Sequence, residues 1–230
     1  MKILLLGGTG LIGKQVLLSL VFYPQIKKVI VWARNSQSAS NPNVPIEVVQ
    51  VRWEDFQSGK VSIPDGIDAV FCCLGTTINK AGSQEKFKEI DYEYPLLAAK
   101  QAKTKKISGF YIITAMGSDA NSSIFYNRVK GEIETELRKL EFPFLGIFRP
   151  SLLIGEREEV RVGEKVGEFL GNLIPFGLLG LKKYKPIPAE YVAKSMIHSL
   201  LHDKPEPGAA PTVKVYENDF LWEIGKDHSF

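Results

Sequence analysis

The chain is poor in cysteine, and its two thiols, Cys72 and Cys73, are neighbours. Adjacent cysteines supply neither a disulfide framework nor ligands at zinc spacing, so a stapled secreted module and a zinc fold are both set aside. A reducing, cytoplasmic setting is the expectation. Long hydrophobic runs are also missing. Lys14, Lys27 and Arg149 interrupt the best apolar stretches, and none approaches the roughly 18 residues of a spanning helix. The opening Lys2–Leu6 run breaks at Gly7 and Gly8 with no small-residue cleavage site, which reads against a secretory leader and for a soluble protein away from membranes. Charge of one sign is not in excess: 29 basic and 26 acidic side chains leave +3, too balanced for a nucleic-acid footprint. The short basic runs at Lys103, Lys105 and Lys106 and at Lys182, Lys183 and Lys185 therefore read as solvated faces. Histidine is scarce as well. His198 and His202 share a helix face, but no third ligand follows at a suitable spacing, so no metal is expected.

What is present is apolar content, 44% of 230 residues, enough for one compact unit with a sizeable core. Short β-branched or aromatic runs recur at Ile3–Leu6, Val29–Trp32, Ile46–Val51, Ala69–Cys73, Phe110–Thr114 and Phe144–Phe148. Segments with helical periodicity separate them, at Leu11–Phe22, Gln84–Lys103, Ser122–Leu140, Glu164–Leu173 and Pro188–His202. The alternation predicts an α/β fold, a Rossmann-like doubly wound parallel sheet with helices on both faces. Several runs are apolar at nearly every position, as strands covered on both sides require. Ser122 or Ser123 is positioned to cap the helix carrying Tyr126, and Pro143 breaks the chain after it. Residues 1–150 read as a dinucleotide-binding core. From Ser151 the alternation fades into proline-containing segments, read as a small C-terminal substrate-side cap over 151–230 with one strand near Thr212–Val215, not an independent domain. The apolar segment Leu170–Leu181 suits a substrate pocket, an oligomer contact or plain core.

Gly7, Gly10 and Gly13 in GGTGLIG follow the first strand directly and open the first helix. Chemically, Gly7 permits a tight turn, Gly10 admits backbone close to a pyrophosphate, and Gly13 lets helix pack on strand. The helix amides and dipole then face the anion. Where an NAD site places an acid after the second strand, this chain has Arg34, whose guanidinium suits a 2′-phosphate, with Asn35 as a second contact. NADP is therefore expected over NAD. Asp55, after the third strand, reads equally as an adenine contact or a solvated acid.

Tyr126 and Lys130 in YNRVK lie four apart, on one face of a predicted helix. A free tyrosine titrates roughly three units above neutral, a deficit of about 4 kcal/mol. One ammonium at about 4 Å supplies that much at an effective dielectric constant near 20. Lys130 would thus make Tyr126 a usable acid or base while also bonding a nicotinamide ribose.

Further stretches give these motifs company: FCCLGTT at Phe71–Thr77, then KAG, GSDANSS before YNRVKGE, FRP at Phe148–Pro150, and Arg161–Glu164. Together they resemble an atypical short-chain dehydrogenase/reductase, more narrowly the Tat-interacting-protein-type oxidoreductases, over some two thirds of the chain. The resemblance implies cofactor contacts at Thr9, Gly10, Leu11 and Ile12, at Leu74 and Gly75, and at Leu153 and Arg161, with Tyr126 as proton donor or acceptor. Leu74 and Gly75 also follow a central strand, where ligands of open sheets bind. In one place the chain departs from that family. A serine pair ending the fifth strand is replaced by Thr114-Ala115, leaving Thr114, or Ser118 nearby, to orient a substrate carbonyl, unless both hydroxyls bond backbone.

The reading that follows is an NADP-dependent oxidoreductase acting on a small carbonyl or alcohol, with Tyr126, Lys130 and Thr114 as the catalytic set. Two alternatives stay open: a non-catalytic, NADP-sensing protein that binds a protein partner, and a sugar-nucleotide epimerase, for which the segment after Ser151 is short. Monomer and homodimer are equally compatible.

Overall fold

Side chains along a strand alternate between the two faces of a sheet, and in β1 (Lys2–Leu6) both sets are apolar and buried. Ile3 and Leu5 join one hydrophobic cluster and Leu4 and Leu6 another, so a helical layer is needed on each side. The computed structural model describes residues 1–20, 22–34, 46–155, 182–203 and 208–227 and supplies both layers.

After β1 come α1 (Leu11–Leu20), β2 (Lys28–Ala33), β3 (Ile46–Gln50), α2 (Trp53–Gln57), β4 (Ala69–Cys72), α3 (Ile78–Ala81), α4 (Gln84–Lys88) and α5 (Tyr94–Thr104). They are followed by β5 (Gly109–Ile113), α6 (Phe125–Lys139), β6 (Phe144–Arg149), β7 (Leu153–Ile154), β8 (Ile187–Pro188), α7 (Ala189–His202), β9 (Thr212–Glu217) and α8 (Asn218–Asp227). The main sheet is parallel throughout, in the order β3-β2-β1-β4-β5-β6-β9, while β7 pairs with β8. Strand order reverses between β1 and β4, the switch point at which open α/β sheets bind ligands. The expected Rossmann-like, doubly wound sheet is present, and its six expected strands lie within one residue of their predicted bounds.

Three differences have physical causes. The predicted helix Gln84–Lys103 is interrupted by a π-helical turn at Glu89–Glu93, where the Tyr94 N–H donates to the Glu89 carbonyl. Pro95 follows at once, has no N–H to give the Asp91 carbonyl, and would crowd it with its ring, so the helix widens around Asp91. Secondly, α6 begins at Phe125, and neither Ser122 nor Ser123 caps it; the Ser122 hydroxyl instead accepts from the Ile124 N–H at 3.1 Å, one turn too early. Thirdly, the described residues beyond 151 pack into the main body of the fold. Its strand, longer than expected, completes the main sheet beside β6, and α7 buries Val192, Met196 and Ile197 in the same cluster as Ile3 and Val16 of the amino-terminal half. Asn218, fully buried, ties this region together by accepting from the Ser151 N–H at 2.9 Å and donating to the Lys185 carbonyl at 2.8 Å. The predicted helix Glu164–Leu173 and the apolar segment Leu170–Leu181 lie outside the described residues.

Candidate functional site

Between β1 and α1 the chain runs Gly7, Gly8, Thr9, Gly10, and the backbone leaves no space for a side chain at Gly7 or Gly8. Gly7 has φ +79°, and a Cβ on it would stand 2.6 Å from the Cys73 carbonyl oxygen after β4. A Cβ on Gly13 would stand 2.1 Å from the Gly7 carbonyl oxygen, so α1 lies directly on the turn. Gly8, not singled out by the motif, is also constrained: its Cβ would meet Val31 Cγ1 at 2.6 Å. The Gly10 N–H donates to the Gly7 carbonyl at 3.0 Å, leaving Thr9 and Gly10 exposed at the crest and Leu11 and Ile12 opening the helix. The first amides of a helix have no partner within it and carry the positive end of its dipole. A crest of Thr9 and the side-chain-free Gly10 leading into them fits the two phosphates of a dinucleotide.

The turn abuts the end of β4, beyond which Leu74 is half-buried and Gly75 exposed. The segment carrying Leu153 also comes to the turn, since a Cβ on Gly155 would stand 2.8 Å from Leu11 Cδ1. Arg34 is exposed at the end of β2, its carbonyl accepting from Gln50 Nε2 at 3.0 Å. Asn35 and Arg161 lie outside the described residues. Asp55 is half-buried and faces Lys60 at 3.7 Å. Two residues before it, Trp53 stacks on Tyr94 with ring centroids 4.4 Å apart and planes 6° from parallel.

Across the same strand ends, Tyr126 and Lys130 sit one turn apart on α6, Tyr126 half-buried against Phe87 with ring centroids 5.5 Å apart. Lys130 is buried, and its Nζ lies 2.8 Å from Oδ1 of Asp91, which is 1% exposed. Sequence reading missed Asp91. Its signal was Pro95 four residues later inside a predicted helix, which marks where the helix must open. Burial, the largest influence, pushes the Lys130 ammonium down, but the Asp91 carboxylate, together with Tyr126 and Cys72, more than offsets this and holds Lys130 above the ordinary lysine value. Gly131 was missed too: its Cβ would stand 2.1 Å from the Ala120 amide, so the GSDANSS loop lies directly on α6. Arg128 Nη1 donates to the Ser122 carbonyl at 2.8 Å and the Asp119 N–H donates to the Asn127 carbonyl at 3.1 Å, clasping the loop to the helix that presents Tyr126.

Thr114 and Ser118 are placed differently from the role expected of them. Thr114, 4% exposed, donates its hydroxyl to Glu134 Oε1 at 2.7 Å, because the buried Glu134 carboxylate of α6 is the stronger acceptor within reach. Ser118 Oγ donates to the Ala115 carbonyl at 2.7 Å, a local loop bond. The rings of His198 and His202 lie 4.4 Å apart, and no group of three or more metal-ligating side chains occurs among the described residues.

The family described as the NAD dependent epimerase/dehydratase family matches residues 3–218. Protein HTATIP2 of Rattus norvegicus is 32% identical over 232 residues, 98% of this chain and 90% of that protein, which bears out the resemblance read from the motifs. FMP52-1 of Scheffersomyces stipitis is 32% identical over 236 residues, 98% of this chain and 99% of its own length. Among solved structures, the Bordetella bronchiseptica enzyme WbmH in complex with NAD+ has a TM-score of 0.63 at 13% identity, covering 94% of this chain and 75% of that one, a likeness of fold. The expected cytoplasmic location is corrected by these comparisons. FMP52-1 and the other fungal FMP52 relatives are named mitochondrial proteins. Two unpaired thiols carry no address. No helix among the described residues is long and apolar enough to cross a membrane.

Proposed function

The chain belongs to the NAD dependent epimerase/dehydratase family, and from that premise we propose that it is an NADP-dependent oxidoreductase acting on a small carbonyl or alcohol, with Tyr126 exchanging the proton. One observation carries the reading. A Cβ built on Gly75, at the end of β4, would stand 4.0 Å from Lys130 Nζ, so the tyrosine–lysine helix and the glycine turn close on one switch point.

A nicotinamide coenzyme, when bound, would supply or accept the hydride. The chain's own groups do the rest. Amides from Thr9 to Ile12 would hold the pyrophosphate, Arg34 would pair with the 2′-phosphate, and Leu74, Gly75 and Leu153 would wall the dinucleotide. Tyr126 gives its phenolic proton to the substrate oxygen in reduction and takes it back in oxidation. The Lys130 ammonium steadies the phenolate left behind and bonds the nicotinamide ribose. With Thr114 and Ser118 engaged elsewhere, orientation of the substrate oxygen falls to Tyr126.

Calorimetry with NADPH and NADH, followed by NADPH oxidation against a carbonyl panel, tests this. The expected result is tighter NADPH binding and turnover that falls a hundredfold or more, on the order of a lost general acid, in Tyr126→Phe. No heat with either coenzyme, or turnover indifferent to Tyr126→Phe, sinks the reading. The bonds made by Thr114 and Ser118 favour a second reading, an NADP-sensing protein without turnover that binds a protein partner, since neither hydroxyl is presented to substrate. NADPH-dependent binding with no turnover on any carbonyl would select it.

A further inference from the structure

A charged pair buried as completely as Lys130 and Asp91 contributes little net stability, yet removing one partner strands the other. Its position is the telling feature. Asp91 Oδ2 accepts the Thr76 N–H at 2.9 Å, while Oδ1 lies 2.8 Å from Lys130 Nζ. One carboxylate therefore joins the loop after β4 to the helix of Tyr126, directly under Gly75, whose Cβ would stand 3.5 Å from Oδ1. The π-helical turn at Glu89–Glu93 widens the helix at this residue, and Pro95 enforces the widening.

We propose that Asp91 is the positioning residue of the proton-exchange pair: its carboxylate fixes the Lys130 side chain beside Tyr126 and keeps it an ammonium. This rests on the reading of Tyr126 and Lys130 given under the proposed function and adds to it what holds the lysine charged. A lysine enclosed on all sides without a counter-ion loses its charge several units early. The groups facing Lys130 are Asp91 from the π-helical turn, Tyr126 from its own helix and Cys72 from β4. Burial pushes the Cys72 thiol up to about 12, so it is uncharged and cannot serve as the counter-ion. Asp91 is left to do so, and the ammonium it maintains is the charge that faces Tyr126.

The experiment follows tyrosinate formation in nucleotide-free protein by ultraviolet difference absorbance, subtracting the Tyr126→Phe curve to isolate one of the eight tyrosines. In Asp91→Asn the Lys130 charge is lost, and the Tyr126 midpoint should rise by about one pH unit or more. Asp91→Glu, which keeps the charge, should bring it back toward that of the unmodified protein. A part confined to packing would lower the melting temperature of Asp91→Asn and leave the midpoint in place. An unchanged or lower midpoint overturns the proposal. Should Asp91→Asn fail to fold, the 15N resonance of Lys130 Nζ in unmodified protein gives a second reading. It should remain that of an ammonium up to about pH 10, the ordinary lysine range, and loss of the proton below about pH 9 overturns the proposal. Neither measurement uses coenzyme or turnover, so failure to bind NADPH would sink the proposed function without touching this result.

Discussion

Thr114 gives its hydroxyl hydrogen to Glu134 Oε1 at 2.7 Å, and Arg149 grips the same carboxylate through Nε at 3.0 Å and Nη2 at 2.6 Å. The strand-end hydroxyl therefore belongs to a buried clamp joining β5, β6 and α6, which Arg149 Nη1 extends to Glu217 of β9 at 2.9 Å. Thr114→Ala should cost about 2 kcal/mol of stability, the worth of a buried bond to a charged acceptor, read as a lower urea midpoint. Turnover should survive it. A drop in kcat of about a hundredfold, the cost of losing a group that stabilises a developing oxyanion, would return Thr114 to the substrate.

Two glycines separate backbone strain from close approach. Gly66 has φ +73° and nothing within 4 Å of a built Cβ, so Gly66→Ala should cost only about 1 kcal/mol of conformational strain and leave NADPH binding intact. A Cβ on Gly13 would sit 2.1 Å from a backbone oxygen that has no rotamer to escape into. Gly13→Ala should therefore push α1 off the turn and abolish the NADPH heat in calorimetry, even in protein that still melts cooperatively. Unchanged affinity in Gly13→Ala would mean that the crest is not the phosphate cradle.

The contrast between Gly13 and Asp91 marks how far the sequence could be read. Gly13 announced itself because strand, turn and helix are consecutive in the chain, and a local spacing has one local consequence. The six strands were legible for the same reason, most being runs apolar on both faces, although β3 carries Glu47 and Gln50. Asp91 was not, because its role depends on a helix register altered by Pro95 and on a lysine 39 positions away brought to 2.8 Å. Glu134 and Gly131 were hidden likewise, one needing Arg149 and Thr114 beside it and the other needing the loop at Ala120 laid against it. Thr114 was read correctly as a strand-end hydroxyl, but strand geometry does not say which acceptor wins. β9 was visible as a short strand; that it completes the sheet follows from long-range pairing with β6 that no local pattern encodes.

Arg34 decides coenzyme choice in the proposed function. Its side chain is exposed at the end of β2, so a 2′-phosphate can be met without first desolvating a buried partner. Arg34→Ala should weaken NADPH binding by about 2 kcal/mol, roughly thirtyfold, and leave NADH nearly unaffected, because only NADPH carries the group that a charge-assisted bond recognises. Equal losses for both coenzymes in parallel titrations would remove Arg34 from phosphate recognition.

The adjacent thiols at the end of β4 are expected to be inert, although they flank the turn. Burial pushes Cys72 up to about 12, and burial together with Cys72 raises Cys73 well above the ordinary thiol value. The thiolate is the reactive form, so native protein at pH 8 should show no fast-reacting thiol with a disulfide reagent, and two once unfolded. The same shift fixes a sign for stability. Above about pH 8.5 an unfolded chain releases the Cys72 proton while the folded chain keeps it, so the stability associated with the buried neutral thiol is present below that pH. It declines as pH rises towards the folded value, by about 1.4 kcal/mol per pH unit for one proton. Urea midpoints collected from pH 7 upward should accordingly fall less steeply in Cys72→Ala than in the unmodified protein once the ordinary thiol value is passed. Parallel pH curves would mean that Cys72 ionises as readily inside the fold as outside it, despite its full burial in β4.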